Sequence, residues 1–288
     1  MRFLVWAPET VSRFLGNFSY KTTHMLREIN FKVFGKLLRK SKLKSITIDI
    51  DSSVVNVEGQ QEGAVKGYNP KKIGNNCYNI QFAFCDELKS NITGFVRNGN
   101  TYTANGAAEM IKETVAHIKT DDLEILFRMD SSYFDEDIIE TIELLGCKYL
   151  IKAKEYPTLV SQVTDPLILF VKGDEGRETT ELLTRLNTWK KDRRFIISRV
   201  LKPEKDRAQL SLLEGDEYQY FFFVTNTELP CEKVVISSTK CAGSAKSVAT
   251  LRIISRKPSM IWALEHLLLK SFWANTLKNR ARVKQCFK

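Results

Sequence analysis

The stretch KSITIDIDSSVVNVEG, from Lys44 to Gly59, decides the fold class of this chain. Three isoleucines alternate with three polar residues, in the period of two that is typical of a β-strand: Ile46, Ile48 and Ile50 against Thr47, Asp49 and Asp51. The pattern predicts a strand over 45–51 that ends at Asp51. Aspartate is rare in strands because its side chain competes for backbone hydrogen bonds and its charge resists burial. Strand formation alone therefore does not explain the two carboxylates in this stretch.

Composition describes a folded globular protein. The chain has 288 residues, of which 43% are hydrophobic and 27% are charged, so it can bury a sizeable core. No apolar run reaches about 18 residues, which predicts no membrane span, and the apolar patch at 3–7 is too short for a signal peptide. The six cysteines form no CxxC pair. We expect them to be reduced thiols of a cytoplasmic protein, with no zinc or redox motif.

The net charge of +10 is confined to the end of the chain. Residues 236–288 contain eleven Lys and Arg and one acid, Glu265, which leaves 33 basic and 33 acidic residues in 1–235. Such a basic tail can bind DNA. A tail almost free of acids is also typical of a sequence that selection has not shaped. Both interpretations stay open at this point.

The hydrophobic pattern predicts an α/β fold with a mixed sheet and flanking helices. The expected helices cover two stretches within 8–40, of which the second spans 21–39 with a basic outer face, then 104–119 and 135–145. The expected strands cover 45–51, 53–58, 78–85, 92–97, 123–130 and 147–154. Short apolar runs at 166–173, 193–201, 209–215 and 217–226 predict a β-rich insertion. The predicted domains are a helical segment 1–42, a first core part 43–164, the insertion 165–225 and a last core part 226–288.

Two aspartates stand at corresponding places in the predicted sheet. Asp51 and Asp130 each follow an apolar run and are each followed by two serines. Open α/β sheets gather their functional sites at the carboxyl ends of strands. Two carboxylates that meet there repel each other unless a cation bridges them, and oxygen ligands favour Mg²⁺ or Mn²⁺. The alternative is that each aspartate simply forms a turn.

The strings TIDIDSSVVNVEGQQEGAVKGYNPKK, NGNTYTANGAAEMI and RMDSSYFDEDIIETIELLGCKYLIKAK occur in this order, followed by FFFVTNTEL at 221–229. In these motifs the chain resembles bacterial insertion-sequence transposases with a DDE active site and a ribonuclease H-like core. The resemblance implies that Asp51 and Asp130 are the first two catalytic, metal-binding carboxylates, with Asp49 on the same strand face as the fallback. It implies Mg²⁺ or Mn²⁺ as cofactor and a β-rich insertion before the third acid.

The same resemblance implies double-stranded DNA, as transposon ends and target, for the partner. The expected reaction is hydrolysis at the ends followed by attack of the 3′-OH on target DNA, by a protein that is nucleoid-associated in the bacterial cytoplasm and forms a homodimer when intact. Two groups are candidate DNA contacts: Lys66, Tyr68, Lys71 and Lys72, and then Trp189 with Lys190, Lys191, Arg193 and Arg194. The alternatives are a solvated turn for the first group and core packing for Trp189. We interpret His24 and His117 as structural.

The third acid of the family pattern is missing. It is expected on a helix after FFFVTNTEL, but residues 236–264 contain no acid, and likeness resumes only at 266–275. Codons for residues 249–262, when read in a shifted frame, can spell NTENYIKEAKYDMG, which is the expected motif, with its Glu arising across the codons of Leu251 and Arg252. We therefore expect two compensating frameshifts around 236–265.

Two further departures point the same way: the ending TLKNRARVKQCFK differs from the family pattern, and the family's N-terminal segment is expected to be missing before Met1. The chain is thus expected to be a truncated, inactive copy of a transposase. The alternative is a non-catalytic DNA-binding remnant or a regulator of transposition. A substitute acid would distinguish the two, and Glu232 and Glu265 are the nearest. A nuclease of another kind on the same core is disfavoured by the motif EGAVKGYNPKK.

Overall fold

A computed structural model describes residues 20–57, 63–67, 73–173, 176–202 and 217–242. The chain divides into two compact units between Leu123 and Glu124. Each unit has its own helices and strands. The four domains expected from the sequence stay a prediction.

The first unit is built on antiparallel strands with two helices. Strand β3 pairs with β1 on one side and β4 on the other, and the short β2 pairs with the beginning of β3. The elements are α1 (Tyr20–Ser41), β1 (Ser45–Asn56), β2 (Val65–Lys66), β3 (Asn76–Cys85), β4 (Ser90–Asn98) and α2 (Ala107–Ile118). The predicted helices at 21–39 and 104–119 and the strands at 78–85 and 92–97 are therefore confirmed. The helix expected earlier within 8–40 lies outside the described residues.

Strand β1 is longer than the sequence predicts. Its three isoleucines are almost completely buried, as their alternation predicts. The strand then continues through both serines to Asn56, each residue paired with β3, from Asp51 opposite Phe82 to Asn56 opposite Cys77. The prediction of two strands, with Asp51 at the end of the first, is therefore wrong. The backbone pairing with β3 outweighs the low strand propensity of Asp-Ser-Ser.

Helix α1 is anchored on this sheet by aromatic and charged contacts. Phe31 and Phe34 are buried. Arg27 donates from Nε to Thr93 Oγ1 of β4 at 3.1 Å, forms an ion pair with Glu113 of α2, and lies over the ring of Phe95. His117 stacks on Phe31 with ring centroids 4.0 Å apart, which agrees with a structural role. His24 lies on α1, but its side chain is outside the described part.

The second unit is a mixed sheet with helices. The strand order is β5-β6-β10-β9-β8-β7, with β5 and β6 parallel and the other pairs antiparallel. The elements are β5 (Glu124–Met129), a 3₁₀ turn (Ser131–Tyr133), α3 (Glu136–Leu144), β6 (Lys148–Lys152), α4 (Pro157–Val163), β7 (Val171–Lys172), β8 (Glu178–Thr184), β9 (Arg193–Leu201), β10 (Tyr218–Thr225) and α5 (Cys231–Ala242). The predicted elements at 123–130, 135–145 and 147–154 are confirmed.

The region 165–225 is rich in strands, as predicted, but its strands extend the sheet of the second unit. Strand β10 pairs directly with β6, with Val224 opposite Ile151. Leu150, Ile196 and Phe223 share one buried cluster with Val234 and Val235 of α5. The run expected at 209–215 lies outside the described residues. Because β10 pairs with both β6 and β9, the region 165–225 packs as part of the sheet of the second unit and not as a separate layer.

These elements confirm the α/β class with a mixed sheet and flanking helices. Their order along the chain is α1, four antiparallel strands, then helix, strand, helix and strand. Apart from α1 and the two-residue β2, this is the order expected of a ribonuclease H-like core. Among the described helices, none is long and apolar enough to cross a membrane. Cys77, Cys85, Cys147 and Cys231 are free thiols, as expected.

Candidate metal-binding carboxylates and DNA contacts

Strand β1 presents Asp49 and Asp51 on one face, because residues two apart point to the same side of a strand. Asp49 is only 3% exposed and lies opposite Phe84. Asp51 is half-buried, and its Oδ1 accepts a hydrogen bond from the backbone N–H of Ser52 at 2.7 Å. The more accessible carboxylate is the better ligand for an ion that must also reach DNA. The choice of Asp51 over the fallback Asp49 stays a prediction.

Asp130 directly follows β5 and is exposed. Its Oδ1 accepts the backbone N–H of Ser132 at 2.9 Å, and its backbone oxygen accepts the N–H of Tyr133 at 3.2 Å. Asp130 thus caps the 3₁₀ turn, which is the turn-forming role that the sequence left open. The hydrogen bond from the Ser132 N–H also orients the carboxylate.

Arg128 connects the strand that carries Asp130 to α5. Its side chain is buried, and its Nη1 donates to the backbone oxygen of Ser237 in α5 at 3.1 Å. The contact joins residues 109 positions apart. Sequence reasoning missed this residue, although an arginine inside an otherwise apolar strand was a signal, since a buried guanidinium needs acceptors.

The donor chemistry of the two aspartates fits a hard divalent cation. Carboxylate oxygens are the usual ligands of Mg²⁺ and Mn²⁺. Within the described ranges, no three His, Cys, Asp or Glu side chains are close enough together to hold a metal ion. Asp51 belongs to the first unit and Asp130 to the second, so an ion shared between them stays a prediction.

The two acids considered as substitutes for the missing Glu differ in what the structure describes. Glu232 lies in the first turn of α5, and its carboxylate lies against Gly173, where an added Cβ would come within 2.8 Å of Oε1. Glu265 lies outside the described residues.

The first group of candidate DNA contacts is described only at Lys66. This residue is exposed at the end of β2 and pairs with Asn76 of β3. The next residue, Gly67, touches the backbone of Gly99 so closely that a Cβ would lie 1.9 Å from its oxygen. The glycine in KGYNPKK is therefore required by backbone packing. Tyr68, Lys71 and Lys72 lie outside the described residues, and DNA contact by this group stays a prediction.

Trp189 is a core residue. It is 8% exposed, and its ring centroid lies 5.1 Å from that of Phe134 and 5.8 Å from that of Phe195. The guanidinium of Arg193 lies 4.8 Å from the Trp189 ring. A base can stack only on an exposed ring face. The structure thus agrees with core packing, and we correct the prediction that Trp189 stacks on DNA.

The cations that follow Trp189 are paired with glutamates. Arg193 has a side chain that is only 2% exposed and forms ion pairs with Glu136 at 3.1 Å and Glu143 at 3.2 Å. Each of the other three cations also has a glutamate partner: Lys190 with Glu140 at 3.0 Å, Lys191 with Glu143 at 2.6 Å and Arg194 with Glu181 at 2.5 Å. We therefore remove Arg193 from the expected DNA contacts as well, because its side chain cannot reach a phosphate. Lys190, Lys191 and Arg194 are each paired with a glutamate, although the side chains of the two lysines remain exposed.

Electrostatics support this interpretation. Burial raises the pKa of Glu143, but hydrogen bonds from Lys191, Arg193 and Tyr149 outweigh burial and leave that pKa below its usual value. Burial also opposes ionisation of Glu136, yet the backbone N–H of Lys190 and the guanidinium of Arg193 lower its pKa. The cleft beside these residues, about 520 Å³ in volume, is lined by acids as well as by cations. It is not a basic groove.

Comparison with known proteins adds the family. A family profile described as "Transposase DDE domain group 1" matches residues 7–241. No functionally curated protein matches the chain significantly. Among solved structures, the chain is similar to the piggyBac transposase in a synaptic complex with hairpin DNA, with a TM-score of 0.48 and 10% identity over 83% of this chain and 48% of that one.

Two structures of the Mos1 transposase are also similar. The paired-end complex with the left transposon end has a TM-score of 0.26 and 9% identity, over 52% of this chain and 45% of that one. The Mos1 mariner paired-end complex with Mn has a TM-score of 0.26 and 11% identity, over 52% and 46%. The chain spans about half the length of the solved transposases that it matches.

Proposed function

The chain belongs to the DDE transposase family, whose function is DNA transposition and whose chemistry uses divalent metal ions, and we propose that this chain derives from an enzyme that cuts and joins transposon ends. The observation that carries the proposal is the family match over residues 7–241, which includes both DSS motifs. Asp51 and Asp130 are the acids at corresponding positions in those motifs.

In this proposal Asp51 and Asp130 hold Mg²⁺ or Mn²⁺. Such ions, when bound, activate a water molecule and stabilise the leaving 3′ oxygen. The rest of the chain positions the ligands. The N–H of Ser132 orients the Asp130 carboxylate, and Arg128 fixes the end of its strand to α5. Positioning and charge stabilisation are what phosphodiester chemistry requires of a protein.

We propose further that this copy is inactive. Residues 236–264 contain no acid, and the family match stops at residue 241, before the stretch 249–262 where the third acid is expected. A two-metal mechanism needs ligands for both ions. Removing one member of a cooperating catalytic group commonly abolishes most of the rate advantage.

The proposed partner is double-stranded DNA, both transposon ends and target, in the bacterial nucleoid. Lys66, Tyr68, Lys71 and Lys72 remain the proposed contacts within the core, and the basic residues of 236–288 supply a salt-dependent, sequence-independent attraction. The intact protein is proposed to act as a homodimer, which rests on the family resemblance. Sedimentation of a chain with the reading frame restored would test that state.

A second candidate function is a DNA-binding remnant or regulator without chemistry. The acid-free stretch 236–264 favours it, because loss of the third acid leaves the fold of the described units intact. Such a chain would bind transposon ends and compete with an active transposase without cutting. The feature that distinguishes the two candidates is an acid able to replace the lost Glu, because only a chain with a third acid could cut DNA.

Strand cleavage tests the proposal. The measurement is Mn²⁺-dependent nicking of a supercoiled plasmid that carries the element's ends, by the chain as written and by a version with the frame restored across 236–265. We expect no nicking by the former and measurable nicking by the latter, lost on Asp51→Asn or Asp130→Asn. Asp86→Asn is the matched control, because Asp86 lies on the exposed turn between β3 and β4, where it pairs with Lys89. Nicking by the chain as written that depends on Asp51 and Asp130 would contradict the inactive state.

A further inference from the structure

The segment that carries Asp130 is held by an aromatic cluster. Phe134, four residues after Asp130, is buried, and its ring centroid lies 5.1 Å from that of Trp189, 6.3 Å from that of Phe195 and 6.0 Å from that of Tyr156. Trp189 lies four residues before the start of β9, and Phe195 lies on β9. The β-rich region therefore packs directly on the turn that follows β5.

A second anchor lies two residues further along. Glu136 is the first residue of α3. Its Oε1 accepts the backbone N–H of Lys190 at 2.9 Å and pairs with Arg193 Nη1 at 3.1 Å. Arg193 also binds Glu143, two turns further along the same helix, at 3.2 Å. One buried arginine thus fixes both the start and the end of α3.

Little chain separates these anchors from the carboxylate. Tyr133 is fully buried and donates its N–H to the backbone oxygen of Asp130, and the Phe134 N–H donates to Ser131 at 3.3 Å. A displacement of Phe134 or Glu136 therefore moves the turn that Asp130 caps. We propose that Trp189 and Arg193 are positioning residues for Asp130, an inference that rests on the proposed role of Asp130 as a metal ligand.

The same strand provides a matched control. Arg199 of β9 also pairs with a glutamate, Glu178, at 2.7 Å, and lies 3.8 Å from the ring centroid of Phe170. Arg199 contacts Glu178 of β8, Phe170 before β7 and Tyr218 of β10. These contacts do not involve residues 130–136. Arg199→Met therefore removes a comparable arginine without touching the proposed anchors.

The experiment combines amide hydrogen exchange with Mn²⁺ affinity, both measured on the full chain. The variants are Arg193→Met, Trp189→Leu and Glu136→Gln, with Arg199→Met as the control and Asp130→Asn as the reference for a lost ligand. We expect amides of 132–134 to exchange about tenfold faster in the three variants, because local opening becomes easier, and to be unchanged in the control. Mn²⁺ affinity should fall in the same three variants, by no more than in Asp130→Asn.

The outcomes separate the two proposals. If Asp130→Asn leaves Mn²⁺ affinity unchanged, the proposed metal role of Asp130 fails, and the positioning role falls with it even where exchange is faster. If Asp130→Asn weakens binding but Glu136→Gln alters neither exchange nor affinity, the positioning role alone is overturned. Faster exchange with unchanged Mn²⁺ affinity would also overturn it, because the contacts would then serve folding only. Glu136→Gln keeps the side-chain volume and the bond from Lys190, so it gives a result even where Arg193→Met does not fold.

Discussion

Residues 190–194 and residues 236–288 are both basic, but they differ in the acids available to them. The first region has four cations, and each meets a glutamate of α3 or β8. The second has eleven cations and a single acid, Glu265. The comparison teaches that a basic run in a sequence does not by itself indicate DNA contact, because the fold can supply acids that neutralise it. The partners of Lys190, Lys191 and Arg193 are some fifty residues away along the chain, whereas Glu181 is 13 residues from Arg194.

The largest effect, on the free energy of unfolding, is expected at Arg193, whose ion pairs with glutamate are buried. Arg193→Met leaves Glu136 and Glu143 without their shared buried partner, and breaking a buried ion pair costs about 3 to 5 kcal/mol. We expect the low end of that range, since both glutamates are slightly exposed. Urea unfolding of the chain would measure the loss. Lys190→Met is the control, and its unfolding midpoint should be nearly unchanged because its pair with Glu140 is exposed. Equal midpoints for the two variants would contradict this account of Arg193.

The excess cations of residues 236–288 are expected to control DNA affinity. Deleting 236–288 removes eleven cations and one anion. Affinity for a nonspecific duplex at low salt should fall by about tenfold or more, and the dependence on salt should become shallower, because fewer counterions are released. Fluorescence anisotropy at several salt concentrations would measure both quantities. Unchanged affinity and slope would exclude the tail as the electrostatic contact.

Lowering the pH should lower the free energy of unfolding, because the glutamates that pair with residues 190–194 become protonated. The pKa values of Glu136 and Glu143 are lowered from the usual 4.5. A carboxylate with a lowered pKa in the folded state contributes stability that is fully present above the unfolded value and is lost as pH falls through the folded one. The free energy of unfolding should therefore fall more steeply below about pH 4.5 in the wild type than in Arg193→Met. Lys89→Met, which alters an exposed pair in the first unit, should keep the wild-type slope. Parallel curves for Arg193→Met and the wild type would contradict the assignment.

The smallest effect is expected from the exposed lysines. Lys190→Ala together with Lys191→Ala should change DNA affinity much less than the tail deletion does, because both ammonium groups already have glutamate partners. The same anisotropy measurement decides this. A loss as large as that of the tail deletion would restore residues 190 and 191 as DNA contacts.

Several elements of the fold could be predicted from local pattern. The alternation of isoleucines predicted β1, and the apolar periodicity predicted α1, α2 and α3, because these patterns report one buried face of a single element. The continuation of β1 beyond Asp51 could not be predicted this way. It depends on the pairing of Ser52–Asn56 with β3, and a partner strand contributes backbone hydrogen bonds that no local propensity reveals.

The candidate site was predictable only in part. The repeated DSS motif and the family resemblance predicted Asp51 and Asp130, and the structure adds that the fallback Asp49 is buried. The role of Trp189 and Arg193 was not predictable. An aromatic residue beside four cations has the same sequence signature in a DNA-binding surface and in a buried anchor. Only the contacts with Phe134, Glu136 and Glu143 distinguish the two.

The most direct test of the account is whether Asp51 and Asp130 bind the same ion. Mn²⁺ titration of the full chain, followed by electron paramagnetic resonance, should be made for Asp51→Asn, Asp130→Asn and the double variant. Two ligands of one ion are coupled, so each single substitution should weaken the same Mn²⁺ binding event. The double variant should then lose less binding free energy than the sum of the two single losses. Additive losses, or Mn²⁺ binding that is insensitive to either aspartate, would contradict the shared metal site.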